Sequence, residues 1–203
     1  MQTDRFGGSH TDPSPLILAF GDSLTPGYGF GANESFAAQL EASIRNRMPL
    51  ARVQNAGVSG DTSGSALARL PRLLSSLVRR PDLAIVELGA NDFLRGFPLA
   101  RTRANLDEII TELSRCGIPV MLAAMEAPRF LGAFAEQCDA VYQGLARKHA
   151  IPAVPFFPEG VLGNAGLTLP DRIHPNAAAI RLIVRAMLPA VWDALVAHQG
   201  IAA

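Results

Sequence analysis

Four short polar segments of this chain hold residue types that could work together in acyl transfer. They are Gly21-Asp22-Ser23, the run from Asn55 to Thr62 (NAGVSGDT), Glu87-Leu88-Gly89-Ala90-Asn91-Asp92, and Asp171-Arg172-Ile173-His174-Pro175. Acyl transfer needs a nucleophile, a base to take its proton, a carboxylate to orient that base, and donors for the developing oxyanion. Singly, each segment has an ordinary reading. Gly-Asp-Ser forms turns, Gly60-Asp61-Thr62-Ser63 caps a helix, and Asn91 bonds its own backbone in a loop. Asp171 on its own caps a turn, and His174 is then simply an exposed residue ahead of the last helix. Short motifs produce many false positives, so the weight falls on the set.

The spacing of Asp171 and His174 has a mechanical meaning. Three residues apart in a tight turn, the carboxylate can reach Nδ1–H of the imidazole and fix its tautomer, which turns Nε2 toward a serine. Pro175 stiffens the entry to the following helix, where a missing N–H costs little. The other histidines fit worse: His10 lies near the start, His149 at a helix end and His198 near the C-terminus.

Positioning such groups is a task for the elements between them. Short apolar runs at Leu16–Phe20, Val53–Ala56, Asp82–Leu88, Pro119–Met125 and Ala153–Phe157 read as five strands. Their near-continuous apolarity suits strands covered on both faces. Between them, 3.6-residue periodicity predicts helices at Ser35–Met48, Ser65–Arg79, Thr102–Arg115, Ala133–His149 and Asn176–Ala197. Strand alternating with helix predicts an α/β protein, a three-layer α/β/α sandwich around a five-stranded parallel sheet of flavodoxin-like type. Open sheets of this kind place their chemistry at the carboxyl ends of the strands. The first three polar segments follow predicted strands, and the fourth lies just before the last helix.

Composition narrows the alternatives. Of 203 residues, 49% are hydrophobic and only 18% charged, which predicts a large core and one domain over 16–203. Residues 1–15 are polar and read as a flexible tail without the apolar region of a signal peptide. That is the pattern of a cytoplasmic chain, or of a periplasmic or secreted one from which a leader has been removed. The 18 basic and 18 acidic residues cancel, so nothing favours nucleic acid. Apolar stretches stop short of the ~20 residues of a membrane span, so no stable membrane insertion is expected. Cys116 and Cys138 read as two buried free thiols, and neither they nor the histidines have metal-binding spacing. No cofactor or metal is expected. The glycines at 27, 29 and 31 lack dinucleotide-fingerprint spacing, and no Gly-x-Ser-x-Gly elbow is present.

Read together and in order, GDSL, SGDT, GAND and DRIHP resemble the four blocks of the SGNH (GDSL) hydrolase family. The similarity runs from about Leu16 to Pro175. It is greatest to the bacterial multifunctional acyl-CoA thioesterase/lysophospholipase/arylesterase group, through GDSLTPGYG, SGDTSGSALARLP, VELGANDFLRGF and the PFF segment at Pro155–Phe157. The resemblance implies Ser23 as nucleophile, His174 as general base and acid, and Asp171 as its orienting carboxylate. It implies an oxyanion hole from the Ser23 N–H, the Gly60 N–H and the Asn91 side-chain amide, with Asp22 and Asp92 holding the loops. The implied partner is a small-molecule ester or thioester, with the oligomeric state left open. Phe93, Leu94 and Phe97, in the loop expected after Asn91, are candidate contacts for an acyl or aryl group. Other readings are a carbohydrate O-deacetylase on the same scaffold, or a noncatalytic flavodoxin-like module that binds a ligand at the strand ends.

Overall fold

In the computed structural model, which describes residues 14–29 and 31–199, five parallel strands form one sheet in the order β2-β1-β3-β4-β5. The strands are β1 (Leu16–Gly21), β2 (Arg52–Asn55), β3 (Leu83–Glu87), β4 (Val120–Ala124) and β5 (Ala153–Pro155). The central strands β3 and β4 are buried at every residue, and β1 at all but its first. Six helices cover the sheet: α1 (Phe36–Arg45), α2 (Ser63–Ser76), α3 (Ala90–Leu94), α4 (Leu99–Arg115), α5 (Ala133–His149) and α6 (Ala177–Gln199). Helix α1 packs on α6, while α2 packs on α4 and α4 on α5. This is the expected three-layer α/β/α sandwich. Among the described residues no helix is long and apolar enough to cross a membrane.

Several expected boundaries move, each for a local reason. Strand β2 sits one residue earlier than Val53–Ala56, and β5 stops at Pro155 instead of Phe157. Both are edge strands paired on one side only, so neighbours dictate less of their extent. Helix α2 starts at Ser63, where the Thr62 side chain accepts the Ser65 N–H, and ends at Ser76, because Leu77 turns to extended backbone at ψ 126°. Helix α4 begins at Leu99 because Pro98 takes the N-cap position. Of the stretch expected as loop after Asn91, Phe93 and Leu94 belong with Asn91 to the five-residue helix α3, too short to show any periodicity, and residues 95–98 are loop.

The stretch expected as a tail falls mostly outside the described residues. Its last two are fastened: Pro15 C=O accepts the Arg52 N–H at 2.9 Å, and Ser14 C=O accepts from the Arg79 guanidinium. Both cysteines are free thiols, but only Cys138 is buried; Cys116, at the end of α4, is half-exposed. Burial pushes the Cys138 thiol up to about 11, which keeps it protonated and inert.

Strand order places β1 at the point where successive connections leave the sheet in opposite directions. The chain goes from β1 to β2 on one side and reaches β3 on the other. A crevice therefore opens above the carboxyl ends of β1 and β3 before any side chain is considered.

Candidate active site

Strand β1 ends at Gly21, paired in register with Glu87 of β3, and the chain then turns through Asp22 and Ser23. The turn is closed by the Tyr28 N–H donating to Ser23 C=O at 3.1 Å. Ser23 is 7% exposed. Its Oγ lies 3.0 Å from His174 Nε2, bridging 151 residues of chain. On the far side of the ring, Nδ1 lies 2.7 Å from Asp171 Oδ2. With Nδ1–H donating to the carboxylate, Nε2 carries the lone pair and faces the hydroxyl.

Asp171 is held by its own turn. Its Oδ1 accepts the Ile173 N–H at 2.9 Å and the His174 N–H at 3.0 Å. The Ile173 N–H above all, then the His174 ring and the His174 N–H, lower the Asp171 carboxyl to about 2. It stays charged throughout the neutral range. The turn places Arg172 at φ 60°, a left-handed conformation uncommon for a residue with a side chain. A lone antiparallel bridge between Thr168 and Pro175 closes the base of this loop. The N-cap Asn176 then starts α6 by accepting the Ala178 and Ala179 N–H groups at 3.1 Å each. The Tyr28 ring lies over the imidazole, with centroids 4.4 Å apart.

Gly60 follows β2 in a left-handed conformation, φ 85°, which any side chain would strain. Its loop is tied to the Ser23 turn, since the Val58 N–H donates to Gly21 C=O at 3.1 Å. Arg69 of α2 fastens the same two loops. Its Nε donates to Asp61 Oδ2 at 2.6 Å, and its Nη2 to Gly21 C=O at 3.1 Å and Ala56 C=O at 2.9 Å.

Asn91 stands in α3 beside these loops, but its amide is turned inward. Its Nδ2 donates to Asp22 Oδ2 and to Asp61 C=O, each at 3.0 Å. Both of its amide hydrogens thus already have acceptors. Asp22 in turn accepts the Leu24 N–H at 3.1 Å. Burial raises the Asp22 carboxyl to about 6, the largest influence on it, while the Leu24 and Asn91 hydrogen bonds pull the other way. Asp92 points into the protein, where it accepts the Ser63 N–H at 2.7 Å, the Ser63 hydroxyl at 2.5 Å and the Thr102 hydroxyl at 3.2 Å.

The three apolar candidates after Asn91 separate. Phe93 is half-buried, edge-on to Tyr142 and Phe134, and Phe97 lies beneath the Arg101 guanidinium. Leu94, 65% exposed, is the freest of the three.

Sequence reasoning passed over Arg69, Tyr28 and Glu87. Arg69 sits among helical-pattern residues and resembles a solvated face. Tyr28 was masked by the glycines around it. Glu87 did carry a signal: a lone acid ending an otherwise apolar strand needs a partner when buried.

Comparison with known proteins places the chain in a family. Residues 19–182 match the model of the GDSL-like lipase/acylhydrolase family. The chain belongs to that family. It is 37% identical over 164 residues to the esterase TesA of Pseudomonas aeruginosa, covering 80% of this chain and 81% of that one. It is 36% identical over 164 residues to thioesterase 1/protease 1/lysophospholipase L1 of Escherichia coli K12, covering 80% and 76%. Among solved structures, the SGNH-hydrolase esterase AlinE4 superposes with a TM-score of 0.74 at 45% identity, covering 92% of this chain and 99% of that one.

Proposed function

We propose that the protein is a serine hydrolase that cleaves carboxylic esters or thioesters through an acyl-enzyme on Ser23. The observation that carries this reading is the continuous relay from Ser23 Oγ through the His174 ring to Asp171, at 3.0 and 2.7 Å. In the first step Ser23 Oγ attacks the substrate carbonyl while His174 Nε2 takes the hydroxyl proton. Collapse of the tetrahedral intermediate breaks the bond to the alcohol or thiol, and His174 returns the proton to that leaving group. Water then attacks the acyl-serine with the same proton exchange, releasing the acid and restoring Ser23. Asp171, charged at neutral pH, steadies the imidazolium formed in each half.

The oxyanion is met by the Ser23 and Gly60 N–H groups and by Asn91. Among the described residues neither backbone N–H donates to another group. Asn91 joins by turning or sharing one of its two N–H bonds as negative charge develops, so its help is concentrated in the transition state. Leu94, the most exposed of the three apolar candidates, offers an apolar contact to the acyl or aryl group. An apolar contact there favours acyl or aryl substrates over acetylated sugars, and the complete relay favours an enzyme over a passive binder.

The test is covalent labelling combined with a substrate panel. A fluorophosphonate is expected to modify Ser23, and Ser23→Ala to abolish hydrolysis while the protein stays folded. Modification of another serine, or substantial turnover by Ser23→Ala, overturns the reading. p-Nitrophenyl esters, acyl-CoAs, lysophospholipids and acetylated sugars assayed side by side define the substrate class; preference for the sugars overturns that part.

A further inference from the structure

Glu87 ends β3 directly beneath the nucleophile turn and is fully buried. It pairs in register with Gly21, where a Cβ would collide with Thr25 Oγ1 and with the Glu87 side chain itself. The absence of a side chain at Gly21 is what lets the carboxyl fold under the loop. Glu87 Oε2 then accepts the Thr25 hydroxyl at 2.8 Å and faces the Asp22 N–H at 3.3 Å. The same N–H also donates to Glu87 C=O at 3.2 Å. Glu87 Oε1, buried, has no hydrogen-bond partner among the described residues.

This carboxyl therefore grips the chain one residue before Ser23 and two residues after it. We propose that Glu87 is a positioning residue for the nucleophile: by fastening the Asp22 N–H and the Thr25 hydroxyl to one buried oxygen, it sets where Ser23 Oγ stands relative to His174. Thr25 is itself fully buried, so the second tie is as sheltered as the first. Glu87 touches neither substrate nor reacting atoms and acts only through the loop it holds.

The chemistry of the site suits a neutral acid. Among the described residues no cation is bonded to Glu87, burial is the strongest influence on it, and the Asp22 carboxylate beside it adds repulsion; both favour the protonated form. A protonated glutamic acid and a glutamine have nearly the same shape, and glutamine keeps the accepting oxygen. Loss of the side chain and replacement by glutamine should therefore have opposite consequences.

The inference rests on Ser23 being the nucleophile, which fluorophosphonate labelling of the wild-type chain decides separately. The test compares Glu87→Ala, Glu87→Gln and Thr25→Val in the full chain. The measurements are kcat and KM on a p-nitrophenyl ester, the rate of fluorophosphonate labelling, and the melting temperature. Because small displacements of a reacting group cost up to about 100-fold, Glu87→Ala is expected to lower kcat and labelling rate together by about 10- to 100-fold, with KM little changed. Glu87→Gln is expected to recover kcat to within about fivefold of wild type, and Thr25→Val, which cuts one tie of two, to fall between them. Folded Glu87→Ala with wild-type kcat and only a lower melting temperature overturns the proposal, as does Glu87→Gln no better than Glu87→Ala. If Glu87→Ala does not fold, Thr25→Val decides: wild-type kcat and labelling rate in that variant overturn it.

Discussion

The two halves of the site are built in different ways. Ser23, Gly60 and Asn91 stand on the ends of strands and the starts of helices, above the buried polar groups Asp22, Asp92, Glu87 and Thr25 and the half-buried Arg69. Asp171 and His174 stand on a solvent-facing turn, held by bonds among neighbours and by the bridge from Thr168 to Pro175. In the first half, removing a side chain uncovers buried partners and so costs stability, whatever it costs in rate. In the second, the same removal leaves groups that water can satisfy, so the cost falls on rate. Catalytic geometry in this protein is secured by burial on one side and by local turn chemistry on the other.

The largest expected effect breaks the comparison if it fails. His174→Ala should lower kcat by about 10⁴–10⁶-fold, and Asp171→Asn somewhat less, as in other triads. Both should melt close to wild type, because the turn is exposed. Asp92→Ala is the contrasting control. It strands the Ser63 N–H and two hydroxyls, at a cost of about 3 kcal/mol. In a chain of this size that is a fall of roughly 6–12 °C in melting temperature, with near-normal kcat in the folded fraction. Equal stability losses for His174→Ala and Asp92→Ala would erase the distinction between the halves.

Asn91→Ala sharpens it. A lost oxyanion donor costs about 10²–10³ in kcat with little change in KM. Here a lower melting temperature should accompany the rate loss, since Asn91 also bridges Asp22 and Asp61. Normal kcat with reduced stability alone would remove Asn91 from the oxyanion hole and leave it a brace.

The smallest expected effect lies in the pH dependence of stability, where the halves have opposite signs. The Asp171 carboxyl sits at about 2 in the fold against an ordinary 3.8, so its stabilisation is present above 3.8 and lost as pH falls toward 2. The Asp22 carboxyl is raised to about 6, so the folded protein keeps a proton that the unfolded chain has released. Its contribution is greatest below 3.8 and declines as pH rises from there to about 6. Asp22→Asn should make that decline shallower in denaturant melts between pH 4 and 6, leaving the part due to Glu87. Asp171→Asn should flatten the rise between pH 2 and 4. An unchanged slope in Asp22→Asn would mean that its carboxyl is not held protonated.

Much of this was legible in the sequence. The strand–helix alternation predicts the layers because buried parallel strands must be apolar on both faces, and β1, β3 and β4 are. The relay was legible because Asp171 and His174 are close in sequence and Ser23 closes a strand. The direction of the Asn91 amide was not, since it depends on Asp22 and Asp61 meeting across three loops. Nor was the grip of Arg69, whose acceptors at Gly21, Ala56 and Asp61 converge only when β1 and β2 pair. Helix spacing shows which residues face inward, whereas the partners of a polar side chain depend on how the sheet is ordered.

The separation of 151 positions between Ser23 and His174 also sets an order of manufacture. A ribosome adding about 5–20 residues per second makes the serine about 8–30 s before the histidine. The parallel sheet and its buried carboxyl network precede His174 in the chain, and α6, which packs on α1, follows it. In the proposed mechanism hydrolytic power therefore arrives late in synthesis: any nascent chain that ends before His174 carries the serine with no base to activate it.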